Sequence, residues 1–380
     1  MVLKVVKADG SALANEDEQK VAPAPLVGQC IFDIAEVYLI YQLVSHASGA
    51  YPFRCFLEDA LSYDRDRSEG MLSVSGFYPD RNGYHLKFDH SFGELVRGLG
   101  LKQEMIKLSE PMVFIQRLHA DLFNSERALL PEMNVRVRLI RNRPGFGLVT
   151  PTESKDKYKL VLDKASLCFK TLTPSDRIML GHARLLASGE HVIYPIKRVQ
   201  TKTIMLASGA KSFNLDNVIM NRLPYKIIVG MVKASAFNGD MDKTPFYFEP
   251  FGLSRFAAFV SGRSVMPRPL QPNFKKDVFK TAADSYFSVF QATQQEWSPR
   301  AGFSYDLKEY LMGYTLFGFD LSINGSGCGN TVNVHKSGNL RFELEFAESL
   351  AEPVTMIIYG EYGANIEINR AKEVLVDYTP

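Results

Sequence analysis

The sequence predicts an all-β protein with a few short helices, organised as two tandem β-sandwiches, and three observations carry that expectation. The chain has 380 residues, longer than one average domain and long enough for two, each with a substantial core. Aromatic residues make up 12 % of it, with 26 Phe and 17 Tyr against one Trp. That bias favours a pleated, half-buried surface, on which aromatic side chains pack well. Finally, Val135-Arg136-Val137-Arg138-Leu139 swaps apolar and charged residues at period two, the pattern of a strand with one wet face.

The elements follow in chain order. Val2 to Val6 reads as a strand that ends in the turn Ala8-Asp9-Gly10-Ser11, after which ANEDEQK makes a charged, solvated loop. Between Ile31 and Val44 apolar residues are too dense for periodicity alone to separate strand from helix. Beyond Tyr51-Pro52, the residues Phe53, Phe56, Leu57 and Ala60 fall at i, i+3, i+4 and i+7, one buried face of a short helix. Charge and glycine from Asp64 to Gly83 predict a surface loop. Thr173-Pro174-Ser175-Asp176 places a capping hydroxyl, a first-turn proline and an acid ahead of a helix. Ile178, His182 or Leu185, and Leu186 give that helix an apolar stripe, and Gly189 stops it. The domain junction is placed there: a first sandwich over residues 1–175, a linker helix at 176–190 and a second sandwich over 191–380.

The second half is a series of strand-like runs at 227–232, 256–260, 315–321, 341–346 and 354–362. In the run at 341–346, Phe342, Leu344 and Phe346 point one way and Arg341, Glu343 and Glu345 the other. Ala283, Tyr286, Phe287 and Phe290 step at helical spacing, and Ser304 with Asp306 announces a second short helix ending at Gly313. About eight strands per half with irregular connections match a jelly roll better than an alternating βα fold.

Composition narrows the function. Lys plus Arg number 44 against 42 Asp plus Glu, a formal charge of +2, so bulk charge will not condense the chain on DNA or an anionic membrane. Cys30, Cys55, Cys168 and Cys328 form no CxxC pair and predict reduced, mostly buried thiols. The N-terminus lacks the apolar run of a signal peptide, and no stretch has the roughly 18 apolar residues of a membrane span. A chain made inside the cell and not secreted is expected, so the sequon at Asn324-Gly325-Ser326 reads as a chance match.

Candidate chemistry is sparse. The glycine-rich run at 325–329 lacks a Walker lysine and a nucleophile elbow, and it reads as an inter-strand loop. A jelly roll can be a cupin-type enzyme, but His46, His85, His90, His119, His182, His191 and His335 contain no HxH or HExxH spacing. His119 and His182 are read as structural, and Asp121, Glu126 and Glu132 as acids of a capped turn. Neither a catalytic set, a metal nor another cofactor is expected. Arg136, Arg138, Arg141 and Arg143 form the strongest basic cluster. They are candidate residues for a subunit interface or for facing packaged DNA, against the alternative of a solvated strand face. The aromatics of residues 245–260 read as core or interface packing.

Residues 118–141 (LHADLFNSERALLPEMNVRVRLIR), 158–170 (YKLVLDKASLCFK), 194–204 (YPIKRVQTKTI), 223–232 (LPYKIIVGMV), 245–253 (PFYFEPFGL) and 338–350 (GNLRFELEFAESL) occur in a telling order. Together they resemble the double jelly-roll major capsid proteins of Polinton (Maverick) elements and the related adintovirus group of DNA viruses. The resemblance implies two tandem eight-stranded jelly rolls, strands rather than a helix at 31–44, and no catalysis. It also implies a homotrimer forming pseudo-hexagonal capsomers of an icosahedral shell, a virion location, and minor or penton capsid proteins and packaged double-stranded DNA as partners. Relatives carry an early strand ahead of the region matching residues 2–23, so the first roll is expected to be incomplete with one sheet edge exposed. An endogenous, non-assembling relic of such a gene is the alternative, and a β-sandwich binding or cupin-like protein a third.

Overall fold

The computed structural model describes the chain except residues 19, 48, 79–101, 126, 155–156, 275–281, 296–301, 323–335 and 378–380. In its second half, one sheet runs Leu316–Asp320, Lys226–Lys233, Val354–Ile368, Val192–Leu206, with Val374–Val376 pairing the far end of the long strand. The other runs Ser212–Arg222, Ser337–Phe346, Leu253–Val260, Arg263–Ser264. The strands of both sheets pair antiparallel, and the two four-strand orders are those of a jelly roll.

Alternation sets the core between these sheets. Phe342, Leu344 and Phe346 are buried beside Phe256, Phe317 and Phe319, while Arg341, Glu343 and Glu345 turn outward. Arg255 on the neighbouring strand meets Glu343 at 3.3 Å and Glu345 at 3.0 Å, so the outer face is also paired across strands.

The first half repeats the same strand pairing. Val2–Lys7 pairs Met112–Val113 on one side and Tyr158–Lys164 on the other, as Lys226–Lys233 pairs Leu316–Asp320 and Val354–Ile368. Phe32–Leu39 pairs Gln42–Ala47 and Val135–Arg141, as Leu253–Val260 pairs Arg263–Ser264 and Ser337–Phe346. Two positions differ. In the second roll Val192–Leu206 and Ser212–Arg222 flank Val354–Ile368 and Ser337–Phe346. Among the described residues no strand flanks the corresponding edges of Tyr158–Lys164 and Val135–Arg141. The expected strand at 31–44 is a hairpin that turns at Ile40, where φ is +58°.

The two rolls share a core. Helix Tyr51–Ser62 buries Phe53, Phe56, Leu57 and Ala60 as its spacing predicts. Phe56 stacks on Phe246 with ring centroids 4.6 Å apart, and Phe53 meets Phe146, Phe237 and Phe248. The aromatics of 245–248 therefore serve the inter-roll core.

Three expectations need correction. Residues 64–78 are not a plain loop: Asp64 caps a short helix, Arg65–Glu69, by accepting from the Arg67 amide, and a 3-10 turn spans Met71–Ser75. Helix Asp176–Ala187 starts after Ser175, not Thr173. It does stop at Gly189, whose φ of +88° allows the Glu190 amide to reach the Leu185 carbonyl. Helix Ala283–Thr293 buries Ser285, Ser288, Val289 and Ala292, leaving Tyr286, Phe287 and Phe290 half-buried. The small face wins because the helix lies flat on Leu316–Asp320, where the Gly318 amide donates to Ser288 Oγ at 3.1 Å. Of the described cysteines, Cys30 and Cys55 are buried thiols, in keeping with the expectation, and Cys168 is exposed; Cys328 lies outside the described residues.

Candidate assembly surface

The strand Val135–Arg141 carries Arg136, Arg138 and Arg141, and Arg143 follows its end. Its partner register sets Arg136 opposite Tyr38 and Arg138 opposite Glu36 on the outward face. Accordingly, the Arg136 guanidinium lies 5.4 Å from the Tyr38 ring centre, and Arg138 meets Glu36 at 3.3 Å. Arg141 and Arg143 turn elsewhere. Arg141 donates to the Leu160 carbonyl at 3.4 Å, and Arg143 donates to the backbone and side-chain oxygens of Asn238 at 2.9 and 3.0 Å. The structure therefore brings together only Arg136 and Arg138; Arg143 ties its strand end to the second half.

The opposite face of this strand is incompletely covered. Val135 and Val137 are half-buried against a cluster containing Val37, Leu39, Tyr194 and Ile366, and Leu139 is exposed. The equivalent row in the second roll, Leu340, Phe342 and Leu344, is fully buried.

A second uncovered feature follows strand Tyr158–Lys164. Residues 163–180 are all exposed, and Leu167, Phe169, Leu172, Ile178 and Leu185 expose between 48 and 69 % of their surface. The helix Asp176–Ala187 buries no residue. A free helix of this length is marginal in water, because nucleation is unfavourable and packing normally supplies its stability. Ile178 and Leu185 belong to the apolar stripe expected of the helix, whereas Leu167, Phe169 and Leu172 precede it in an extended arm. Periodicity marks an apolar stripe but cannot show that nothing in the same chain covers it.

Behind this surface a buried ionic network joins the rolls. Arg54 donates to Asp121 at 2.6 Å and to Glu58 at 2.8 Å; Glu58 in turn meets His119 Nδ1 at 2.7 Å. Asp121 also accepts from the Val199 amide of the second roll at 3.2 Å. Burial pushes the Glu58 carboxyl up, but Arg54 and His119 outweigh it and hold the group down at about 2. Asp59 is pushed up to about 6 by burial, partly opposed by His119. Asp121 opens the 3-10 turn Asp121–Asn124, but its carboxylate is a buried ion-pair partner of Arg54 and caps nothing; Glu132 is exposed and paired with Lys372, and Glu126 lies outside the described residues. His119 is buried in the network and His182 lies on the exposed helix. His191 meets Glu367 at 3.1 Å. His85, His90, His335 and the glycine run at 325–329 with its sequon lie outside the described residues. Among the described residues no group of three or more His, Cys, Asp or Glu is placed to share a metal ion, and no helix is long and apolar enough to cross a membrane.

No family model matches the chain. A sequence relative is an uncharacterized protein of Caenorhabditis elegans, 22 % identical over 366 residues, which cover 96 % of this chain and 83 % of that protein. Among solved structures, the chain is similar to one in the Sputnik virophage, with a TM-score of 0.61 at 10 % identity over 99 % of this chain and 80 % of that one. It is also similar to a chain of the PBCV-1 virus capsid, with a TM-score of 0.53 at 11 % identity over 100 % of this chain and 89 % of that one. The Faustovirus major capsid protein gives a TM-score of 0.50 at 8 % identity over 96 % of this chain and 76 % of that one. With the strand order above, the fold is the double jelly roll.

Proposed function

We propose that this chain is a structural capsid subunit that works by self-association, without catalysis. Three copies form a pseudo-hexagonal capsomer that tiles an icosahedral shell around double-stranded DNA, in the manner of the Polinton and adintovirus proteins its sequence resembles. Residues 1–175 and 191–380 are the two rolls and 176–190 the linker. Arg136 and Arg138, outward on strand Val135–Arg141, face a neighbouring subunit or the packaged DNA, and minor or penton capsid proteins fill the remaining shell positions.

The observation that carries this reading is the repeated strand pairing of two rolls around one shared core. Three chains of two similar rolls approximate six-fold symmetry, which a lattice of hexagonal tiles requires. The double jelly-roll likeness to viral chains along nearly the whole length supports the same conclusion. A second reading, a host-retained relic that no longer assembles, is favoured by the relative in a nematode.

Size-exclusion chromatography with light scattering, followed by negative-stain imaging of the main peak, tests the two. A trimer of hexagonal outline supports the capsomer; a soluble monomer or an aggregate supports the relic.

A further inference from the structure

We propose that the cleft at the hairpin end of the second roll is an anion site for a phosphate group, free or carried on a nucleic acid, with Arg263 and Lys336 as its cations. The inference goes beyond the self-association reading, which uses no residue of this cleft.

The cleft has a volume of about 510 Å³ and lies between three pieces of chain. These are the turn after strand Leu253–Val260, the end of strand Leu316–Asp320 with Ser322, and the start of strand Ser337–Phe346 with Lys336. Its size falls in the range of small-ligand sites. The sheet fixes each piece. Leu253–Val260 and Arg263–Ser264 form a hairpin through Ser261 and Gly262, whose φ values of +47° and +80° suit the tight turn of such a hairpin. The Ser261 amide donates to the Asn339 carbonyl at 2.9 Å, and the Leu223 amide donates to the Lys336 carbonyl at 2.9 Å. Turn and lysine are thus both held by neighbouring chain.

The donors of the cleft are left open to a ligand. Among the described residues, the Arg263 guanidinium meets no carboxylate. Lys336 Nζ donates once, to the Leu321 carbonyl at 3.4 Å, which leaves two of its three hydrogens. Ser261 Oγ accepts from the Asn339 amide at 3.4 Å and keeps its own proton to give. The one acid among the lining residues, Asp320, is occupied by its own turn, accepting from the Ser322 amide at 2.8 Å and the Ser322 hydroxyl at 2.6 Å. Two cations against one carboxylate leave the cleft positive. Arginine, lysine and serine donors together form the kind of set that holds phosphate oxygens.

The first roll shows that the fold alone does not create this lining. At the matching hairpin, set by the same register, it reads Ile40-Tyr41-Gln42 where the second roll reads Ser261-Gly262-Arg263. The rim is also open, since Ser261, Arg263 and Ser337 are exposed. A phosphate on a polymer therefore reaches the cations without the rest of the molecule entering the cleft.

The experiment uses the full chain and two probes: inorganic phosphate, followed by calorimetry at constant ionic strength, and a fluorescent DNA duplex, followed by anisotropy across a salt series. Arg263→Ala and Lys336→Ala should each weaken binding about tenfold. Asp320→Asn should strengthen it, because the carboxylate repels the anion while the amide oxygen still accepts from Ser322. Thermal unfolding of all three variants in chloride should match that of the unmodified chain. Either probe bound with these effects supports the site. If nucleic acid is the source, each alanine also lowers the slope of log affinity against log salt by about one; phosphate binding with an unchanged duplex slope assigns the site to free phosphate. Failure of both probes to bind the unmodified chain, or binding indifferent to all three substitutions, overturns the proposal. Oligomer mass is read separately: a monomer that binds phosphate through these residues overturns the self-association reading and leaves the site standing.

Discussion

The Arg54 guanidinium and the Asp121 carboxylate meet at 2.6 Å with both side chains almost wholly out of solvent, and Asp121 carries the contact on to the Val199 amide. A charge pair this deep is costly to desolvate and holds only while both partners are present. Arg54→Ala strands Asp121 and Glu58 without their cation, so it should destabilise the fold by about 3–5 kcal/mol. Urea unfolding checks this; a loss under 1 kcal/mol would mean that the network is hydrated and does not hold the rolls together.

Asp59 gives the network a pH dependence of its own. Its carboxyl is raised to about 6 from an ordinary value of 3.8, so the folded state binds the proton more tightly than the unfolded state. Its contribution to stability is therefore fully present below pH 3.8 and lost as pH rises through about 6. Asp59→Asn should stabilise the protein by about 1–3 kcal/mol at pH 7.5 and by almost nothing at pH 4. An equal gain at both values would remove Asp59 ionisation as the cause.

Glu58 acts in the opposite sense. Held at about 2 against 4.5, it contributes stability above pH 4.5 that is lost as pH falls toward 2. Glu58→Gln should therefore flatten the acid limb of the unfolding profile, monitored by circular dichroism from pH 5 to pH 2.

Phe342 lies at the centre of the second roll, 5.2 Å from the Phe256 ring and 5.9 Å from the Phe319 ring. Phe342→Asp removes that packing and buries a carboxylate without a cation, so no soluble folded protein is expected; Phe342→Leu, which keeps an apolar side chain, should fold with a loss of about 1–3 kcal/mol. Unchanged thermal unfolding of Phe342→Asp would show that the strand register is wrong.

Arg136→Glu changes an exposed residue whose nearest partner is the Tyr38 ring. Thermal unfolding should stay within about 0.5 kcal/mol of the unmodified chain, while oligomer mass or DNA retention at low salt should fall. A variant that unfolds early would instead show that Arg136 braces the sheet.

How much of this was legible in the sequence follows from the range of the interactions concerned. Period-two alternation placed Phe342, Leu344 and Phe346 in the core, and helical spacing placed Phe53 and Phe56, because each pattern is decided by neighbours within a few residues. Ordered local motifs likewise pointed to the double jelly roll. The buried role of Asp121 was not legible, since its partner Arg54 is 67 residues away. Nor was the face of helix Ala283–Thr293, which close approach to Gly318 decides against the larger aromatics. Of the four candidate arginines, the sequence marked a cluster, and the tertiary structure left Arg136 and Arg138 together, turned Arg141 to the Leu160 carbonyl and turned Arg143 to Asn238 at the end of a short helix. The arm at 165–187 shows the same division. Its apolar stripe is a property of the sequence, but its lack of cover is a property of which strands pair across more than a hundred residues of chain.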